Sequence, residues 1–493
     1  MLHIYGKDTT KKRKDLYEVP KMCNFAQKKY QKCVIPHIFG TSRAKQSKRR
    51  RMFNRRAIND LKAWKEKADR KPLFMLGARQ VGKTSLLKKF GSECFKHCAY
   101  FSLDEEEGVC GIFRTTKNPK QIIEQLSFLS QAPIVPNDTL LIIDEIQNCP
   151  EAISAMKYFC EKAPEYAVAC AGSLLGLSFG HEGFSFPVGK VNHINLYPIT
   201  FAEYLEQKDP GLYRYYLTIN SFEPIPDVFF ERLTQAFNSY RISGGMPEAA
   251  MKMVNMDVAG VEESLKGILK DYAFDFVKHA SPVLANRISH VWNSLPSQLA
   301  KENRKFVYQL VRPGARAREY EDALIWLQNA GLLSKVSLCK TPQVPLKSYE
   351  DLSIFKIYCL DIGLLRELAE LAPEIYFTDK PTFKEFKGAL AENYILQSLT
   401  AQDIQCSRYW ASDNKAEIEF LIQRGVEVVP IEVKSGTSVT GHSLREYNNR
   451  YAPALRIRYS MLNLKLDGGL ANIPLFLADR TTELLGGLKS TQK

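Results

Sequence analysis

The stretch "GARQVGKT", Gly77 to Thr84, fits the pattern G-x-x-x-x-G-K-[ST] in full, with the apolar run "PLFML" before it and the helical pattern "TSLLKKFG" after it. Such a loop joins a strand to a helix so that backbone N–H groups and the helix N-terminus face negative charge. Gly77 and Gly82 let the chain wrap phosphates closely. Lys83 is placed to reach the β- and γ-phosphates, and the Thr84 hydroxyl to ligate Mg²⁺. Arg79, inside the loop and the arginine nearest the site, is expected to bind the nucleotide through a phosphate, the alternative being a neighbouring carboxylate.

The other half of a nucleotide site stands 60 residues beyond Thr84, in "TLLIIDEIQ", where an apolar strand ends in two carboxylates. Asp144 would hold the magnesium shell, and Glu145 is placed to polarise the water that attacks the γ-phosphate. The next strand, "AVACAGS", ends in Ser173, which either senses the γ-phosphate or caps the following segment. ATP and Mg²⁺ are the expected ligands.

Around these motifs, short apolar runs alternate with helical patterns, the rhythm of a parallel sheet with crossover helices. The fold class is therefore α/β. The expected order is a P-loop ATPase core over residues 52–210 and a helical lid over 211–285, interrupted by the turn "SGGMPEA" at Ser243 to Ala249. A winged-helix-like module with a connector follows over 286–375, then a second α/β domain over 376–493. The last region reads helix ("FKEFKGALAENYILQSLTA"), strand ("SRYWAS"), strand ("AEIEFLIQ"), strand ("EVVPIEVK"), helix ("SLREYNNRYA"), strand ("LRIRYSML").

Charge is unevenly spread. Of the net +14, residues 1–51 hold 15 Lys or Arg against three acids, a net of +12, which leaves +2 for the remaining 442 residues. That arm reads as a disordered tether for nucleic acid or anionic lipid, or as sequence upstream of the true start at Met52. No run reaches the roughly 18 apolar residues of a membrane span, and the opening lacks a secretory h-region, so a cytoplasmic protein without a membrane partner is expected. Eleven cysteines stand singly, and Cys94 with Cys98 lacks a second pair for a metal. Reduced, mostly buried thiols are the expectation.

The segments "LGARQVGKTSLL", "LLIIDEIQ", "LYPITFAEYL", "GGMPEA", "KFVYQLVRPGARAREYEDALIWLQNAGLL", "KIYCLDIGLL", "GALAENYI" and "PIEVKSG" together resemble bacterial and archaeal AAA-type ATPases. In that group the C-terminal half is a conserved domain of unknown function with a restriction-endonuclease-like fold. The resemblance implies ATP binding at Gly77, Gly82, Lys83 and Thr84, with Asp144 and Glu145 as the magnesium and water-activating pair. Members often carry arginine where this chain has Lys190, in "FPVGKVNHINLYPIT". A lysine lacks the planar fork of an arginine finger, which argues against fast hydrolysis assisted from that position.

The order of elements in the tail resembles the core of PD-(D/E)xK nucleases. Glu419 followed by Glu432-Val433-Lys434 has the matching form, and strand alternation sends Glu432 and Lys434 to one face. Glu419 and Glu432 would bind a second divalent metal, Lys434 would orient or help deprotonate a water, and Glu392 in "GALAENYI" could complete the set. Alternatively, Lys434 only neutralises the acids. The usual acid at the position of Glu419 is Asp, and one extra methylene moves the oxygens by about 1.5 Å, against a working tolerance of about 0.5 Å.

Three functions share this nucleotide site. One is an ATP-driven switch with slow Mg²⁺-dependent hydrolysis, whose tail engages DNA or a protein. The second is an ATP-gated, metal-dependent nuclease. The third is an ATP-binding scaffold without hydrolysis.

Overall fold

The computed structural model describes residues 52–493 apart from 174–185, 301–303, 374–375, 377–383, 413–415, 438, 440 and 491–493. The basic arm and the segment that Ser173 would cap lie outside the described residues. The folded body is the unit Phe53–Lys493.

Strands β1 (Leu73–Leu76), β2 (His97–Ser102), β3 (Thr139–Asp144), β4 (Ala167–Ala171) and β5 (Asn192–Asn195) form an all-parallel sheet in the order β2-β3-β4-β1-β5. Every residue of β3 and β4 is buried, as strands covered on both faces by helices must be. Because β1 sits between β4 and β5, the loops after β1, β3 and β4 open together at the carboxyl edge. That edge carries the phosphate loop.

A second sheet is built from β6 (Leu333–Cys339), β7 (Glu350–Cys359), β8 (Arg408–Ala411), β9 (Glu417–Arg424), β10 (Glu427–Val433), β11 (Arg456–Ser460), β12 (Lys465–Asp467) and β13 (Leu470–Pro474). Its order is β12-β13-β11-β10-β9-β8-β6-β7. Helix Lys384–Thr400, β8, β9, β10, helix His442–Tyr451 and β11 follow one another in the order read from the tail. The β6–β7 hairpin, placed by the sequence with the preceding module, extends this sheet through parallel pairing of Ser337 with Arg408 and Leu338 with Tyr409. The physical reason is burial: Val336 to Cys339 are covered on both faces, which an isolated wing could not provide. One apolar core accordingly runs from Phe53 through the helical region into this sheet as far as Leu485. The modules expected in series are thus packed on a shared core.

The "SGGMPEA" turn lies at the centre of this packing, between helices Asp227–Ser243 and Pro247–Val254. A Cβ on Gly244 would meet Asp361 Oδ1 at 2.1 Å, and one on Gly245 would meet Ile199 O at 2.2 Å. The backbone pairs there as well, with Ile199 N donating to Gly245 O at 2.6 Å. Both glycines therefore serve close approach, beyond ending a helix.

The thiols depart from expectation at one pair. Cys110, on helix Glu107–Thr115, and Cys149, at the start of helix Pro150–Lys162, form a disulfide with Cα atoms 5.8 Å apart. Spacing alone could not show it, since 39 residues separate the two. Cys94 and Cys98 remain unpaired. Among the described residues, no helix is long and apolar enough to cross a membrane.

Candidate nucleotide site and a second buried cluster

The phosphate loop closes as its glycines predict. Gly77 and Gly82 have φ of +140° and +95°, and Gln80 between them also has positive φ, at +66°. A Cβ at Gly77 would lie 2.2 Å from Leu196 O, so no larger residue fits against the segment after β5. Lys83 opens helix Lys83–Cys94, and its Nζ donates to Gly77 O at 2.9 Å and Ala78 O at 2.8 Å, which holds the ammonium inside the loop. Burial pushes its pKa down to about 8, with Glu145 and Asp144 pulling the other way.

Thr84 Oγ1 donates to Asp144 Oδ2 at 2.7 Å, and the Tyr100 hydroxyl reaches the same oxygen at 3.0 Å. The two side chains assigned to Mg²⁺ are therefore adjacent. Glu145 follows β3 in the left-handed region, φ +50°, an uncommon conformation for a non-glycine residue that recurs at functional sites. Gln147 Nε2 donates to Glu145 Oε2, and the Ser173 hydroxyl approaches it at 3.4 Å. Ser173 thus meets the carboxylate expected to polarise water.

Arg79, expected at a phosphate, instead pairs with Asp275 of helix Val258–His279, a buried carboxylate that needs a cation. Burial pushes the Asp275 carboxyl up, and Arg79 counters it. Gln80 donates to Asp271 at 2.7 Å, and the Tyr272 hydroxyl donates to Arg79 O at 3.0 Å, so this one helix grips the loop at three points. Lys190 lies just before β5, at the opposite end of the sheet from the loop, and pairs with Glu161 at 2.9 Å. It offers no cation to the phosphates.

A pocket of about 350 Å³ joins these groups, lined by Arg79, Lys83, Thr84, Glu145, Pro247 and Glu248, among others. Pro247 and Glu248 come from the "SGGMPEA" turn and were not visible as site residues, because only tertiary packing brings the turn to the loop. The donor set fits a nucleotide with Mg²⁺: a lysine and backbone for phosphates, a hydroxyl and a carboxylate for a hard cation.

The tail acids do converge, but on cations. Arg304 pairs with Glu392, which the Tyr358 hydroxyl also reaches at 3.1 Å. Arg458 Nε lies 2.8 Å from Glu432 Oε2, directly across the β10–β11 pairing, and Lys434 Nζ is 3.4 Å from Glu432 Oε1. Glu419 Oε2 accepts from Val433 N at 3.0 Å. Burial, then the nearby Glu392, push the Glu419 carboxyl up to about 8, against the pull of Lys434. Burial lowers the Lys434 pKa, yet Glu419 and Glu432 outweigh it and leave the ammonium above its ordinary value.

The expected three-carboxylate metal set is not assembled in this arrangement. Among the described residues, no three of the tail acids lie at chelating distance of one another. The reason is electrostatic: Arg304 and Arg458 already pair with two of the three tail acids, and burial disfavours the charged form of the third. Of these partners, Arg458 has a sequence signal, since it stands on the strand following the E-x-K element. Arg304 and Tyr358 have none.

Residues 69–205 match the model of the AAA domain family. Residues 234–375 and 387–477 match two domains of unknown function, DUF8612 and DUF4143. The phosphate-loop geometry described above lies inside the segment that matches the AAA domain family, which fits an ATP-binding P-loop domain over residues 69–205. No curated protein matches the chain. Similar solved structures include the Aeropyrum pernix ORC2 protein, at 12% identity over 66% of this chain and 96% of that one, TM-score 0.31. Thermotoga maritima RuvB is similar at 13% over 59% and 90%, TM-score 0.27, and AMPPCP-bound DnaA from Aquifex aeolicus at 14% over 55% and 90%, TM-score 0.26. Overlays this loose leave the assignment to the family model and the site.

Proposed function

We propose that the protein is an ATP-driven switch with slow Mg²⁺-dependent hydrolysis, in which the nucleotide state is passed through the "SGGMPEA" turn to a restriction-endonuclease-like tail that engages DNA or a protein. Gly77, Gly82, Lys83 and Thr84 hold the phosphates; Thr84 and Asp144 hold Mg²⁺, which when bound supplies positive charge at the phosphate oxygens. Glu145 orients the attacking water, and Ser173 with Gln147 fixes its carboxylate. Arg79 stays with Asp275 and steadies the loop. With Lys190 committed to Glu161, this chain supplies little arginine assistance, in keeping with slow turnover.

The observation that carries the reading is the buried Asp361. Its Oδ2 accepts from Gly245 N at 2.6 Å and from Gln397 Nε2 at 3.0 Å. Gly245 is two residues from Pro247, which lines the phosphate pocket, and Gln397 lies on helix Lys384–Thr400, which carries Glu392. A shift of the turn on nucleotide binding must either move that helix or break a buried charged hydrogen bond, worth about 1.5–3 kcal/mol. In Glu145→Gln, ATP binding should persist while turnover falls by about 10²- to 10⁴-fold. Hydrogen exchange of residues 384–400 in that variant should change when ATP and Mg²⁺ are added. Identical exchange with and without nucleotide would replace the switch with a passive scaffold.

One observation favours the nuclease as a second reading. Glu432 Oε1 is buried without a well-formed hydrogen bond, its nearest cation being the Lys434 ammonium at 3.4 Å, which leaves acceptor capacity that a divalent metal would use. The test is cleavage of duplex DNA with Mn²⁺ by the wild type and by Lys434→Ala, where this reading expects loss of activity in the variant. Equal cleavage by both would assign the activity elsewhere.

A further inference from the structure

Away from both sites, helices Pro282–Leu299 and Ala317–Asn329 flank an open polar groove of about 540 Å³. Asn286, Arg287, His290, Arg312, Glu319 and Tyr320 line it. Arg287 and His290 are three positions apart on one helix and share a face. His290 Nδ1 lies 3.2 Å from the hydroxyl of the buried Tyr320, which fixes the ring and leaves Nε2 for another partner. Glu319 is used locally, accepting from Arg316 N at 3.2 Å. Among the described residues, Arg287 and Arg312 have no carboxylate or hydrogen-bond partner for their guanidinium groups.

By contrast, Arg55, Arg79, Arg304, Arg408 and Arg458 elsewhere in the body are each paired with an acid. Residues 282–322 hold seven Lys or Arg against four acids, and Arg304 among them is already paired with Glu392. Arg316 and Arg318 continue the exposed positive surface past the groove.

We propose that this groove binds the phosphodiester backbone of a nucleic acid, with Arg287 and Arg312 each paired to a phosphate and His290 Nε2 and Asn286 as additional donors. A guanidinium fork matches two phosphate oxygens, a geometry that lysine cannot reproduce. The site is open and its side chains are largely exposed, so it cannot enclose a small anion. It suits a polymer that passes through and gains affinity from the number of contacts along the positive surface. The inference goes beyond the switch reading and stands whether or not ATP moves the tail.

The test uses the full chain and a fluorescein-labelled 20-base-pair duplex, with binding followed by anisotropy across a range of salt concentrations. Arg287→Ala/Arg312→Ala should weaken binding about tenfold or more and reduce the slope of log K against log salt by about 1.8, at about 0.9 for each phosphate contact. Arg312 is exposed and Arg287 half-buried, and neither pairs with an acid, so thermal midpoint and ATP affinity should stay close to wild-type values. Arg287→Lys/Arg312→Lys should retain most of the salt slope with weaker binding. An unchanged slope in the alanine variant would overturn the proposal by placing the contact in the basic arm. Absence of duplex binding by the wild type, or displacement of the duplex by pyrophosphate or polyglutamate at matched charge, would overturn it too.

Discussion

Lys83→Ala is expected to lose ATP binding by two orders of magnitude or more. The side chain is almost fully buried in the loop, and its ammonium makes two hydrogen bonds to loop carbonyls that phosphate oxygens would take over. Hydrogen bonds of a charged group contribute about 1.5–3 kcal/mol each, so removing two costs about 3–6 kcal/mol, or roughly 10²- to 10⁴-fold in affinity. The loop itself should survive, because helix Val258–His279 holds it through Asp271, Tyr272 and Asp275. Calorimetric titration with a non-hydrolysable ATP analogue and Mg²⁺ measures the loss. Wild-type affinity in the variant would remove the loop from the nucleotide site.

Arg304→Ala is expected to destabilise the fold by about 3–5 kcal/mol, the usual cost of leaving one partner of a buried ion pair uncompensated. Glu392 is only 2% exposed, and beyond Arg304 its partner is the Tyr358 hydroxyl. Arg304→Ala/Glu392→Gln should recover most of the loss, since a neutral amide can still accept from Tyr358. Urea unfolding of the three proteins gives the comparison. The same variants separate a structural cluster from a metal centre. If Arg304 is the resident cation, Mn²⁺ leaves the midpoint of Arg304→Ala unchanged; recovery by Mn²⁺ would show that Glu392 can hold a metal and would favour the nuclease.

Motifs that depend on neighbours along the chain were legible. The strand before Gly77, the glycines with positive φ, the lysine in the loop and the carboxylates ending β3 all follow from local chemistry: a tight turn needs glycine, and a phosphate loop needs donors at a helix start. Pairings between distant residues were not. Nothing local to Arg79 announces Asp275, 196 positions away, and nothing local to Glu392 announces Arg304. The Cys110–Cys149 disulfide is similarly hidden, because a single thiol in an apolar helix reads the same whether paired or free.

The amino-acid sequence by itself determined the phosphate-loop motif and the order of elements, since both rest on short-range geometry and on apolar periods of two and 3.6 residues. Tertiary structure decided how those parts are joined. It placed the β6–β7 hairpin in the tail sheet, brought Pro247 and Glu248 to the phosphate pocket, and met the tail acids with Arg304 and Arg458. Each of these depends on which buried charge or unpaired strand edge finds a partner when the chain closes on one core. Such a choice is made across hundreds of residues, by desolvation and hydrogen bonding, and no local pattern encodes it.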